Sequence, residues 1–196
     1  LVSNTALILG VAGANPSANT VLVAGVAGLI AGAVSMAAGE YVSMQAQKEL
    51  IERELRIEAA AIEDHPESER RELVALYRSR GVDRQTAERM SAQIMSDPEL
   101  ALEVHVLEEL GLSTDSIGSP WQAAGSSFVS FTVGAIVPLI PWMIGSGTGA
   151  IVASVVAAVI LSAAVGGALA RFTERSIVLS AARQVLITLF SCVITY

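Results

Sequence analysis

Two long parts of this 196-residue sequence contain almost no charge. The first 47 residues carry one acidic side chain, Glu40, and neither Lys nor Arg, and residues 116–196 carry one acid and three arginines. A water-soluble domain must place charge over its whole surface, which these two parts cannot do. Their composition excludes an ordinary soluble domain and predicts segments that lie in a lipid bilayer.

Other scarcities exclude further classes of protein. A single cysteine, Cys192, excludes an intramolecular disulfide framework. Two histidines and one cysteine, far apart in sequence, cannot form a Cys/His zinc site. The net charge of −7 argues against nucleic-acid binding, which requires basic surfaces. No Gly-rich stretch ends in Gly-Lys-Ser/Thr, and no nucleophile–base set is visible, so the sequence predicts neither a nucleotide-binding loop nor an enzyme.

The apolar residues form five runs of the length that crosses a bilayer, which takes about 20 residues in a helix. The fold class predicted is therefore all-α: a polytopic membrane protein with five transmembrane helices and a three-helix cytosolic insert between helices 2 and 3. The first and last runs are short, and we expect the first to have lost its beginning. The predicted spans are 1–14, 20–44, 121–144, 147–170 and 176–196.

Most of the charge lies in the insert, and this sets the predicted domains. Residues 48–115 hold nine basic and seventeen acidic side chains. Positive residues favour the cytosolic side of a membrane, so the insert and the loop 170–176 are placed in the cytosol. We therefore divide the chain into transmembrane helices 1 and 2 (residues 1–47), a cytosolic acidic helical metal-binding domain (48–115) and transmembrane helices 3 to 5 (116–196).

Start and stop signals divide the insert into helices. The second span should continue without a break as a charged helix to residue 63, because no Gly or Pro interrupts it. Three further helices are expected after it. Their signals are Pro66 as a start and Gly81 as a stop, Asp83 as an N-cap, Asp97 with Pro98 as a second capped start, and Gly111 as the last stop.

Acidic residues recur in the insert at the spacing of helical neighbours. Residues three or four apart project from one face of a helix, where like charges repel unless a cation lies between them. Carboxylates with an imidazole suit Fe²⁺ or Mn²⁺. The alternative interpretation is an ordinary solvated acidic face. The candidate metal ligands are Glu54 and Glu58, Glu69 and Glu72, and His105 and Glu109.

The second span carries the candidate transport pathway. Met36, Glu40 and Ser43 share one helical face. An ionisable group within a bilayer is costly and by default marks an ion or proton path. The alternative is that Glu40 lies at the membrane boundary and merely begins the charged helix.

Two prolines, Pro138 and Pro141, lie near the outer end of the third span. Each removes a backbone donor, so the helix should bend or unwind there. This break suits either a cavity wall or a simple kink close to the helix end.

Several stretches together resemble the vacuolar iron transporter family, which also includes plant nodulin-like proteins and many bacterial members. The resemblance covers essentially the whole chain in order, and the second and third stretches are the most specific. The stretches are NTALILGVAGAN, AGAVSMAAGEYVSMQAQ, VPLIPW, ARFTERS and SAARQVLI.

The resemblance implies a five-span homodimer that exports Fe²⁺, often also Mn²⁺, from the cytosol, coupled to protons. Met36 matches the pore methionine of the family. A family pore aspartate is expected just before Leu1, and His105 stands where some members have methionine. The residues that match the family's acidic ligands are Glu58, Glu69, Glu72 and Glu109.

The sequence therefore predicts a divalent-metal transporter in a bacterial inner membrane, with no cofactor besides the bound or carried ion. Its expected partners are Fe²⁺ or Mn²⁺, protons, the lipid bilayer and a second copy of the chain. One alternative is a membrane-tethered ferroxidase or iron store, although the stretch EVHV lacks the Glu-x-x-His spacing of such sites. A second alternative is a membrane scaffold whose acidic insert binds a basic partner.

Overall fold

A computed structural model describes residues 1–111 and 118–196. The described residues are helical throughout, as predicted, with short connections; the predicted end of the insert at residue 115 lies outside them. The helices are α1 (Val2–Gly13), α2 (Ala18–Asp64), α3 (Pro66–Ser79), α4 (Arg84–Ile94), α5 (Pro98–Leu110), α6 (Pro120–Ile136), α7 (Ile140–Ile144), α8 (Gly147–Phe172) and α9 (Ile177–Thr195).

The chain folds into two compact units. The apolar unit comprises residues 1–41 and 121–196, and the acidic unit comprises residues 42–120. Helix α2 supplies residues to both units and runs without interruption for 47 residues. The prediction that the second span continues as a charged helix is therefore confirmed.

Four of the five predicted spans coincide with helices that are long and apolar enough to cross a membrane. They are α2, the segment Pro120–Ile144, α8 and α9. Helix α1 is equally apolar but has 12 residues, fewer than a span needs. The chain is thus a multi-pass membrane protein, while a fifth span remains a prediction.

The predicted break at the paired prolines is confirmed. Between α6 and α7 the chain forms a 3₁₀ turn at Val137–Leu139. Ser154 of α8 is buried, and its hydroxyl donates a 2.7 Å hydrogen bond to the Pro138 carbonyl oxygen. Such a bond satisfies a backbone carbonyl at the point where the regular helical hydrogen bonding is interrupted.

Polar side chains and small residues hold the apolar unit together. In the bilayer no hydrophobic effect drives helices together, so close packing and interhelical hydrogen bonds take its place. Ser162 and Thr188 share a buried 2.7 Å hydrogen bond between α8 and α9. Asn4 of α1 donates a 2.9 Å hydrogen bond to the Ala135 carbonyl of α6.

Gly166 marks the closest approach of α8 to α9, and its replacement by alanine should be destabilising. A Cβ atom there would lie 2.7 Å from the Ser180 carbonyl oxygen and 2.8 Å from the Ala181 Cα. Both are backbone atoms, so the helices must separate, at a cost of about 1–3 kcal/mol. Gly167→Ala is the matched control, because its nearest neighbour would be a side-chain carbon at 3.5 Å. Thermal unfolding in detergent should show a lower midpoint for Gly166→Ala than for Gly167→Ala, and equal midpoints would contradict the assigned contact.

The acidic unit follows its start and stop signals. Asp83 accepts a hydrogen bond from the Thr86 backbone N–H at the start of α4. Asp97 accepts from two backbone N–H groups at the start of α5, which also has proline in its first turn. Gly81 and Gly111 have φ angles of +93° and +65°, the left-handed region that favours glycine after a helix. The predicted helix boundaries are confirmed to within a residue or two.

Candidate metal centre

Three carboxylates and one imidazole lie close together inside the acidic unit. Glu58 comes from α2, Glu69 from α3, and His105 and Glu109 from α5. One ligand atom of each lies within 4.8 Å of the ligand atoms of the other three. This four-residue cluster brings together three helices that are separate in sequence.

Buried apolar residues lie on the same helical faces as two cluster residues. Leu73 follows Glu69 by four residues, and Ala101 precedes His105 by four, so each shares a helical face with a cluster residue. Leu73, Ala101 and Val106, the residue after His105, are all buried. The faces of α3 and α5 that carry Glu69 and His105 are therefore turned away from solvent.

His105 is the centre of the cluster. It is completely buried, and its Nδ1 atom lies 3.1 Å from Glu58 Oε1, 3.4 Å from Glu109 Oε1 and 3.8 Å from Glu69 Oε2. Among the described residues its Nε2 atom has no hydrogen-bond partner. Within residues 1–111 and 118–196 the polar partners of the ring lie at Nδ1, which is therefore the atom placed to bind a cation together with the carboxylates.

Two carboxylates of the cluster, those of Glu58 and Glu69, are destabilised in their charged form by burial and by nearby carboxylates. Burial, and then the charges of nearby carboxylates, raise the pKa of Glu58, while His105 opposes the rise. Burial and then Glu72 raise the pKa of Glu69. The buried Oε1 atom of Glu58 is close to the imidazole but receives no hydrogen bond within the described chain. Negative charge in this place lacks full compensation, and a bound cation would supply it.

Two of the six predicted ligands lie outside the cluster. Glu54 is one turn before Glu58 on α2, and its carboxylate pairs instead with the Arg53 guanidinium at 2.7 Å. Glu72 is close enough to raise the pKa of Glu69 but does not belong to the group within 4.8 Å. Their role as ligands stays a prediction, as does that of the four residues that converge.

The residues of the predicted transport pathway all lie on exposed parts of α2. Half of the Met36 surface is accessible, and Glu40 and Ser43 are exposed as well. Spacings of four and three residues place them on one side of this helix.

One polar residue of the apolar unit was missed by the sequence reasoning. Asn4 is buried in α1, and its Oδ1 atom has no hydrogen-bond partner within residues 1–111 and 118–196. A Cβ atom on Gly28 of α2 would lie 2.9 Å from that oxygen, so the amide faces the α2 backbone closely. The sequence does contain a signal for this residue, because Asn4 is an amide side chain within a mostly apolar helix.

The cluster offers three carboxylates and one imidazole to a single ion. Such a mixed set suits borderline divalent metals such as Fe²⁺ and Mn²⁺. Ca²⁺ prefers six to eight oxygen ligands, and Mg²⁺ keeps much of its water shell. The donor set of the cluster therefore fits a divalent transition metal.

The raised pKa values of Glu58 and Glu69 predict an unusual pH dependence of stability for the metal-free protein, measured in the presence of a chelator. Glu58 and Glu69 hold protons more tightly when folded than at the ordinary glutamate pKa of 4.5. Their stabilising effect is complete below pH 4.5 and is lost as pH rises through the folded values. The unfolding midpoint in a chelator should therefore fall over that window, and less so in the Glu58→Gln/Glu69→Gln variant. Saturating Mn²⁺ should reverse the trend, because metal binds the ionised form. The same slope in both proteins would contradict the assignment.

Comparisons with known proteins place the chain in a family. The model of the VIT family matches residues 1–196. A vacuolar iron transporter of Acanthamoeba castellanii is 42% identical over 133 residues, which are 68% of this chain and 50% of that protein. One of Centaurea cyanus is 31% identical over 183 residues, 93% of this chain and 75% of its own length. Vacuolar iron transporter 1 of Arabidopsis thaliana is 32% identical over 152 residues, 77% of this chain and 61% of that protein. Although it spans only half the length of the Acanthamoeba relative, the chain belongs to the VIT family.

Proposed function

We propose that this chain is a divalent-metal transporter that exports Fe²⁺, and Mn²⁺ as a second substrate, from the cytosol across a bacterial inner membrane. The observation that carries the proposal is the four-residue cluster, a mixed carboxylate and imidazole site in a multi-pass membrane protein. Its relatives are named vacuolar iron transporters. Transport by this chain is our inference from the two together.

Capture of the ion is the first step of the proposal. The acidic unit stands in the cytosol, where its negative charge attracts hydrated divalent cations. Glu58, Glu69 and Glu109 replace water with carboxylate oxygens, and His105 adds Nδ1. Because the pKa values of Glu58 and Glu69 are raised, some binding events displace a proton.

Translocation is the second step and uses α2. Glu40 is the one charged side chain in the first 47 residues, and Met36 precedes it by one turn. A carboxylate binds the incoming cation, and a thioether adds a softer ligand that favours transition metals over Ca²⁺. Ser43 supplies a hydroxyl on the same side of the helix. In this proposal Glu40 exchanges a proton for the metal, which couples the two flows as antiport.

A homodimer would enclose this pathway. Helix α2 has three buried residues along its 47, and large apolar side chains cover much of the remainder. Val23, Ile30 and Val34 are each more than half exposed. A carboxylate facing lipid is costly, so a second copy that covers the Glu40 side of α2 gives that side chain a polar surrounding.

Reconstituted vesicles with a pH-sensitive dye inside test the whole proposal. Fe²⁺ added on the side of the acidic unit should cross the membrane together with a proton flow in the opposite direction, and Mn²⁺ should compete. Protein-free vesicles are the control. Metal flux no faster than in the control would refute transport. Oxygen consumption without flux would point to the ferroxidase alternative, and metal-independent thermal stability would favour the scaffold.

A further inference from the structure

The start of α9 carries a basic pocket that has no part in the proposed metal pathway. A pocket of about 390 Å³ lies against the first two turns of the helix. Its lining residues are Arg175, Ser176, Leu179, Ser180 and Arg183. Ser176, Leu179 and Arg183 are three and four positions apart and so share one helical face, and Arg175 lies just before the N-cap.

The charge at this pocket is uncompensated. Residues 171–183 hold three arginines and one acid, Glu174, which leaves a net charge of +2. Within the described part of the chain, neither Arg175 nor Arg183 makes an ion pair, and Glu174 lies in none either. The first N–H groups of α9 add partial positive charge in the same place, and Ser176 caps the helix there.

The pocket lies where a membrane helix begins. Helices α8 and α9 are both candidate spans, and residues 173–176 connect them. Arg183 is seven residues beyond Ser176, about 10 Å further along the helix axis. A guanidinium at that depth must reach back toward the headgroup layer or meet an anion.

The same helical face continues as an apolar stripe. Leu179, Leu186 and Phe190 follow the spacing that includes Arg183, and each is at least two thirds exposed. A basic pocket at the headgroup level, followed by an exposed apolar stripe, matches the two parts of a phospholipid. A free phosphate would use only the first.

We infer that Arg175, Arg183 and the start of α9 bind the phosphate of an anionic phospholipid, with an acyl chain lying along Leu179, Leu186 and Phe190. Guanidinium groups bind phosphate oxygens in pairs of parallel hydrogen bonds, which fixes the headgroup rather than merely attracting it. Basic residues at the cytosolic end of a membrane helix attract anionic lipid headgroups, and the loop 170–176 is predicted to lie on that side. The proposal is independent of what the protein transports.

Native mass spectrometry of the delipidated full chain in detergent tests the lipid site, by titration with phosphatidylglycerol and with phosphatidylcholine. Phosphatidylglycerol should bind more tightly than phosphatidylcholine. Arg175→Gln and Arg183→Gln should each weaken the binding of phosphatidylglycerol about fivefold, and the double variant Arg175→Gln/Arg183→Gln should weaken it about twenty-five-fold. Arg183→Lys keeps the charge and should stay within about threefold, which guards against a misfolded glutamine variant. Arg171→Gln, outside the pocket but in the same basic segment, should change binding less than twofold.

Three results would overturn the lipid site. Equal binding of the two lipids would remove the role of charge. An effect of Arg171→Gln as large as that of Arg183→Gln would reduce the site to diffuse attraction. Displacement of phosphatidylglycerol by an equal concentration of inorganic phosphate would make the pocket a free-anion site.

Discussion

Glu58→Gln is expected to lower the affinity for Mn²⁺ or Fe²⁺ about a hundredfold. The substitution removes one negative charge from a cluster whose ligand atoms lie within 4.8 Å of one another. Loss of a partner that only orients a ligand already costs roughly 10–100-fold in metal affinity, and Glu58 is proposed to bind the ion directly. Calorimetric titration of the detergent-solubilised protein, under anaerobic conditions for Fe²⁺, measures the change.

Glu54→Gln is the matched control for this prediction. It changes the same chemical group one turn away on α2, where the carboxylate pairs with Arg53. Its metal affinity should stay within about twofold, since exposed ion pairs contribute little. Thermal stability separates loss of a ligand from misfolding. A neutral amide in place of the Glu58 carboxylate relieves the burial of charge, and the repulsion by nearby carboxylates, that raise the pKa of that residue. In the presence of a chelator, the metal-free Glu58→Gln protein should therefore unfold at a temperature no lower than that of the wild type. Equal affinities for the two variants would refute the cluster as a metal site.

Glu40→Gln is expected to slow metal transport in vesicles by about 10–100-fold while the cluster keeps its affinity. An interaction with a charged group contributes roughly 1.5–3 kcal/mol, and each 1.36 kcal/mol is a factor of ten in rate. Glutamine is close in size but cannot exchange a proton for the ion. Proton flow measured with an internal dye should fall together with metal flux.

The control for Glu40 is Glu49, the next acid along α2. Its carboxylate accepts a hydrogen bond from the Gln45 side chain and is exposed. Glu49→Gln should transport at close to the wild-type rate. Wild-type fluxes of metal and protons in Glu40→Gln would disprove the proposed pathway, whereas metal flux without protons would disprove the coupling alone.

The sequence specified the helices of the acidic unit because their ends depend on local chemistry. An Asp at an N-cap, a Pro in the first turn and a Gly with positive φ each act within a few residues. Asp83, Asp97, Gly81 and Gly111 accordingly mark the ends that the structure has. The break at Pro138 follows from the same kind of rule, since proline has no N–H.

The membership of the cluster could not be predicted from the sequence in the same way. Spacing predicts that Glu54 and Glu58 share a face, and likewise Glu69 and Glu72. Which of each pair points inward depends on how each helix is rotated against its neighbours. That rotation is set by buried residues such as Leu73 and is therefore a property of the tertiary structure.

Because Nδ1 of His105 faces the cluster carboxylates, metal binding to the cluster should change the NMR signals of this histidine. The chain has two histidines, and the other, His65, is exposed to solvent. Without metal the carboxylate oxygens beside Nδ1 of His105 favour a proton on that atom, whereas a divalent ion on Nδ1 would leave the ring proton on Nε2. Nitrogen NMR of ¹⁵N-histidine-labelled protein would thus contain the ring signals of two imidazoles, one pair that changes with metal and one pair that serves as an internal reference. Metal binding to the acidic unit could then be followed with ¹⁵N-histidine as the only label.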